Sequence, residues 1–148
     1  MKEIISNLES IKKIFQESRV VLAYIFGSAA KRGLTKLSDI DFAVFLDKAI
    51  PQNKYYKIRL LLLDKLGRVI KNKPLDVAIL NNATPILAQL VILQGKVIFC
   101  ENEDLRVNFQ LKSLKEFDDA FYLRKIYYNY LEERVKENKL GEASVHGR

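Results

Sequence analysis

The sequence predicts an α+β fold, helices packed on a mixed sheet of about four strands, from three observations. Runs of strand length, rich in β-branched and aromatic residues, occur at 19–26, 39–46, 74–80 and 96–100. Helix-period or sharply punctuated stretches lie between and around them. The resulting order is helix, strand, strand, helix, strand, helix, strand, long helix, with no internal repeat or low-complexity segment.

Each element has its own signal. Ile4, Ile5, Leu8, Ile11, Ile14 and Phe15 recur at helical spacing, so residues 2–17 read as one amphipathic helix. "RVVLAYIF" (19–26) is apolar almost throughout and stops at Gly27, the pattern of a buried strand with Tyr24 and Phe26 in the core. "AAKRGLTKLS" (29–38) is read as a short helix or turn and a loop. "DIDFAVFL" (39–46) is the second strand, with its acids at the beginning. Pro51 marks a loop, and "KYYKIRLLLLDKLG" is a helix expected to end at Gly67. "PLDVAIL" (74–80) is the third strand and carries one acid, Asp76. In "TPILAQLVILQG", Thr84 is placed to cap a helix, Pro85 to occupy its first turn and Gly95 to end it. "KVIFC" (96–100) is the fourth strand. Residues 102–137 form one long helix or two joined ones, and 138–148 are expected to fray as a flexible tail.

The chain has 148 residues, the size of one domain. The division expected is a domain over 1–100, a helical segment over 101–137 that packs on it or on a partner, and the tail. No apolar run approaches the roughly 20 residues that span a bilayer, and Met1 is followed by charge rather than a signal peptide, so the expected location is the cytoplasm. One cysteine, Cys100, and one histidine, His146 in the polar tail, exclude an internal disulfide, a zinc hydrolase, and Cys-His or Ser-His-Asp chemistry. The formal charge of +7 favours an anionic partner, yet the basic residues are scattered over helix faces as on an ordinary solvated surface.

Glycine and aspartate are poor strand residues, yet "IFGSAAKRGLTKLSDIDFAVFL" (25–46) sets Gly27 and Ser28 at the end of one strand and Asp39 and Asp41 at the start of the next. Two positions apart in a strand, Asp39 and Asp41 project from one face, about 7 Å apart. Carboxylates so placed repel unless a cation lies between them, and hard divalent cations such as Mg²⁺ take such ligands together with substrate phosphates. Asp76 from a neighbouring strand would complete a two-metal site for phosphoryl or nucleotidyl transfer. Gly27 lets the backbone approach a phosphate, Ser28 adds a donor, and Lys31 or Arg32 could reach the same phosphates. Ser38 is a turn residue beside the acids, and Asp47 and Asp64 are surface acids.

Gly27-Ser28, ten residues, then Asp39-Ile40-Asp41 resembles the Gly-Ser, ten residues, Asp-x-Asp pattern of the DNA polymerase β-like nucleotidyltransferases. "FGS" and "SDID" look most like its minimal nucleotidyltransferase (MNT) branch, whose antitoxins pair with HEPN toxins; the likeness covers about residues 1–100. The resemblance implies the polymerase β-like fold and Mg²⁺-dependent transfer of AMP from ATP to an acceptor hydroxyl, with two ions. Asp39 and Asp41 would bind both metals. Asp76 would bind the catalytic metal and help deprotonate the acceptor. Gly27, Ser28, Lys31, Arg32 and Ser38 would hold the nucleotide. For a chain this short it implies an antitoxin that adenylylates a tyrosine of a HEPN-domain ribonuclease, with no direct nucleic-acid binding required. Two alternatives stand beside it: an antitoxin that neutralises by binding alone, and a free-standing adenylyltransferase for a small molecule such as an aminoglycoside.

The last helix is compatible with a protein partner. Leu114, Phe117, Phe121, Tyr128, Leu131 and Val135 fall at three- and four-residue steps interrupted by Arg124, with Tyr122, Tyr127 and Tyr130 on other faces. That seam either covers the chain's own sheet or supports a homo- or hetero-oligomer.

Overall fold

The computed structural model describes residues 2–27, 39–71 and 73–142, with side chains from 4 to 138 within those ranges. The reading of 29–38 therefore lies outside the described residues. Two helices, α1 (Lys2–Ser6) and α2 (Leu8–Glu17), stand where the pattern predicts one. Asn7 leaves helical geometry, at φ −108° and ψ 13°, and splits the helix without disturbing the apolar stripe, since Ile4, Ile11, Ile14 and Phe15 are all buried.

Four strands follow: β1 (Val20–Phe26), β2 (Ile40–Leu46), β3 (Leu75–Ile79) and β4 (Lys96–Cys100). They form one sheet in the order β3-β2-β1-β4, with β1 antiparallel to β2 and β4, and β2 parallel to β3. A parallel pair needs a crossover. Helix α3 (Tyr55–Val69) supplies it and continues through Gly67. The expected stop fails because one glycine in a helix costs only about 1 kcal/mol, while buried Leu66 and Ile70 anchor the last turn. The helix ends where Ile70 becomes extended.

Helix α4 (Pro85–Gln94) has the expected punctuation: the Thr84 hydroxyl accepts from the Leu87 amide at 3.2 Å and Pro85 opens the first turn. A Cβ on Gly95 would stand 2.5 Å from the Val91 carbonyl oxygen and 3.2 Å from that of Ile25, so glycine permits the tight entry into β4. Helix α5 (Glu103–Glu142) is continuous and runs into the segment expected to fray.

Alternation along the strands divides the interior. One face, with Ile40, Phe42, Val44 and Leu46 of β2, packs against α2 and α3; Phe15 meets Phe42 edge-on, ring centres 6.0 Å apart. The other, with Leu22, Tyr24 and Ala43, is covered by Ala88 and Val91 of α4 and Phe109 of α5. Gln110 donates to the buried Tyr24 hydroxyl at 3.2 Å, and Phe109 lies 5.1 Å from Phe45. The expected seam does not cover this sheet: Leu114, Phe121, Tyr128, Leu131 and Val135 are exposed, and the residues that pack are Leu105 and Phe109, one and two turns earlier. Among the described residues, no helix is long and apolar enough to cross a membrane.

Candidate active site

Strand directions bring the site together. Because β1 and β2 are antiparallel, the end of β1 lies beside the start of β2, and Phe26 pairs with Asp41. Because β3 runs parallel to β2, its start reaches the same place, and Asp76 pairs with Asp41. In-register neighbours share a face, and Asp39 shares it by the two-residue period. The neighbours of Asp41 along β2, Ile40 and Phe42, are fully buried on the opposite face, which fixes the carboxylate on this one. Of the acids, Asp39 and Asp76 are exposed and Asp41 is half-buried.

Desolvation, then the charge of Asp76, then that of Asp39, push the Asp41 carboxyl above the ordinary range. Both neighbouring carboxylates act on Asp41, the one from which water is withdrawn. Gly27, at φ +79°, occupies the left-handed region. A Cβ there would lie 2.7 Å from Asp41 Oδ2, so the backbone angle favours glycine and any side chain would also push the Asp41 carboxylate aside. Ser28, Lys31, Arg32 and Ser38 lie outside the described residues.

One residue was not anticipated. Arg59 of α3 donates from Nε to the Val77 carbonyl at 2.8 Å and from Nη2 to Asp76 Oδ1 at 2.6 Å, while the Val77 amide donates to the same Oδ1 at 2.8 Å. Its only trace in the sequence is a guanidinium inside the apolar stretch "KIRLLLL". Asp47 and Asp64 behave as surface acids, pairing with Arg19 at 3.7 Å and Arg68 at 3.2 Å.

Among the described residues, no group of three or more His, Cys, Asp or Glu side chains stands close enough together to hold a metal ion by itself. The donors present are carboxylate oxygens, with Asp76 paired in register with Asp41, and such donors suit a hard cation that retains waters and takes substrate phosphates as further ligands. A groove of about 650 Å³ lies elsewhere, at the other end of the strands, lined by residues including Phe45, Asp47, Asn81, Glu101 and Phe109. Its lining residues Phe45 and Asp47 stand about 13 and 20 Å along the chain from Asp41, and it contains none of the site residues.

Residues 9–104 match the family model described as Polymerase beta, Nucleotidyltransferase. The chain belongs to this nucleotidyltransferase family. A curated relative, spectinomycin 9-adenylyltransferase of Staphylococcus aureus (strain N315), is 31% identical over 117 residues, which are 77% of this chain and 44% of the relative. This nucleotidyltransferase-family chain thus spans less than half the length of the curated relatives it matches. Among solved structures, a chain of a toxin–antitoxin structure with AMP-PNP superposes with a TM-score of 0.68 at 24% identity, over 85% of this chain and 98% of that one. A chain from the complex of tri-AMPylated Shewanella oneidensis HEPN toxin with MNT antitoxin gives 0.61 at 21% identity, over 86% and 97%. These likenesses show the polymerase β-like fold.

Proposed function

We propose that this protein is an Mg²⁺-dependent adenylyltransferase that moves AMP from ATP to a tyrosine hydroxyl of a HEPN-domain ribonuclease and so acts as its antitoxin. The observation that carries the reading is the register pairing of Asp41 with Asp76, with Gly27 φ-locked against Asp41. Asp39 and Asp41 would hold both metal ions, and Asp76 one of them. When bound, the ions neutralise the triphosphate and the charge that develops on transfer. The chain's own work is positional. Gly27, with Ser28 and either Lys31 or Arg32, would cradle phosphates, Ser38 would help bind the nucleotide, and Asp76 would accept the proton of the incoming hydroxyl. The α-phosphate of ATP bonds to that hydroxyl oxygen, its bond to the β-phosphate bridging oxygen breaks, and pyrophosphate leaves. No side chain serves as nucleophile.

Residues 1–100 form the catalytic unit in this reading. The bare half of α5, within 101–137, is the surface offered to the partner, and a location in the cytoplasm fits both. Support for the acceptor comes from the tri-AMPylated HEPN toxin found with its MNT antitoxin in a complex of the same fold. A second reading, adenylylation of an aminocyclitol, has the spectinomycin enzyme in its favour, although this chain corresponds to 44% of that protein.

The test is incubation of the full chain with Mg²⁺ and labelled ATP, separately with the HEPN partner and with spectinomycin, beside Asp39→Ala/Asp41→Ala. The expected result is AMP on a partner tyrosine, reduced at least about 100-fold in the double variant, the loss expected when several kcal/mol of metal stabilisation disappear. Label on spectinomycin instead supports the second reading. Absence of label while wild type and variant both suppress the ribonuclease replaces catalysis by neutralisation through binding.

A further inference from the structure

We infer that Arg59 is a positioning residue for nucleotidyl transfer, a fork that fixes Asp76 so that one carboxylate oxygen is held by protein and the other is presented to the metal. The inference rests on the proposed reading of the site and adds to it a residue from outside the Gly-Ser and Asp-x-Asp elements.

The geometry separates the two ends of the guanidinium. Nε is fixed on the Val77 carbonyl, a backbone atom of edge strand β3, and Nη2 reaches Asp76 Oδ1. A planar fork anchored at one tooth leaves little freedom for the other. Asp76 Oδ1 also accepts from the Val77 amide, so both of these bonds fall on one oxygen, and Oδ2 is the oxygen assigned to the metal. The carboxylate rotamer is thereby set by a helix and a strand together.

Stability alone is a poor explanation for the pair. The Asp76 side chain is 62% exposed and that of Arg59 35%, and ion pairs so accessible to water contribute little to folding. At the edge of the sheet the Val77 amide is the other group that the structure gives to orient the Asp76 carboxylate, and it holds the same oxygen. Metal-binding carboxylates are commonly hydrogen-bonded from behind, and removing such a partner typically lowers metal affinity or activity about 10- to 100-fold. Lysine at this position would retain the positive charge and lose the fork, because an ammonium is a point donor on a flexible stem.

The experiment compares wild type with Arg59→Lys, Arg59→Ala and Asp76→Asn. Mn²⁺ binding in the presence of a non-hydrolysable ATP analogue is followed by electron paramagnetic resonance, AMP transfer is measured as a function of Mg²⁺, and melting temperature is recorded for each protein. Both Arg59 variants are expected to stay folded, to bind Mn²⁺ about 10- to 100-fold more weakly, and to need correspondingly more Mg²⁺ for half-maximal transfer, with Arg59→Lys resembling Arg59→Ala. A lower melting temperature with unchanged Mn²⁺ affinity and Mg²⁺ dependence overturns the inference and leaves the nucleotidyltransferase reading intact. Full rescue by lysine also overturns it, since charge without the fork would then suffice. A wild type that binds no Mn²⁺ with the analogue overturns both.

Discussion

The two faces of β2 differ in what they do with the same backbone. Ile40, Phe42, Val44 and Leu46 point to one side and are fully buried, an unbroken row against α2 and α3. On the other side the row begins with Asp39 and Asp41 and becomes apolar only at Ala43. One strand therefore carries a stabilising row and an acidic one that the proposed function uses for chemistry, and the two-residue period keeps them apart. Substitutions one position apart should separate stability from chemistry.

The largest effect is expected on the buried row. Phe42→Ala removes a ring with 0% exposure that meets Phe15 and should cost about 3–5 kcal/mol, read as a large fall in denaturation midpoint. A loss under about 1 kcal/mol would mean that this face is not the principal core. Gly27→Ala comes next and touches both properties. Forcing a side chain into the left-handed region costs about 1–2 kcal/mol, and the added methyl collides with Asp41 Oδ2. Urea unfolding and AMP transfer should both suffer; a variant fully active at wild-type stability would show that the turn does not need glycine.

The smallest effect has the opposite sign. Asp41→Asn should raise the melting temperature of metal-free protein by about 2–4 °C at neutral pH, up to about 1 kcal/mol, because it removes a desolvated charge and with it the repulsion from Asp76 and Asp39, while depressing transfer. The pH dependence follows from the raised carboxyl of Asp41. In the window between the unfolded value near 3.9 and the higher folded one, the native state binds the proton better, so stability falls as pH rises through it. The gap between variant and wild type should therefore be widest at neutral pH and close in acid. Equal melting temperatures at pH 7 with EDTA would contradict the idea that Asp41 is under electrostatic strain.

What was legible in the sequence follows the same division. Strands declared themselves through β-branched runs, and Gly27, Asp39 and Asp41 stood out because residues hostile to strands sat where strands begin and end. Asp76 was visible as a lone acid in a strand, but its pairing with Asp41 is a matter of register that no local pattern encodes. Arg59 could not be found that way at all, because its partner is 17 residues distant across a crossover. The break at Asn7 and the run through Gly67 depend on which neighbouring side chains are anchored in the core. The exposure of the α5 seam shows the remaining limit: periodicity reveals an apolar stripe, not what lies against it.

The crossover between β2 and β3 has a consequence in time. A ribosome that has released the chain as far as Leu46 has delivered Asp39 and Asp41 but neither Arg59 nor Asp76, which arrive with α3 and β3. The nascent polypeptide then holds two of the three carboxylates and lacks the fork, so under the proposed function it would await the docking of the parallel strand at the edge. The three acids thus come together only in a chain that has closed the crossover, which needs residues as far as β3.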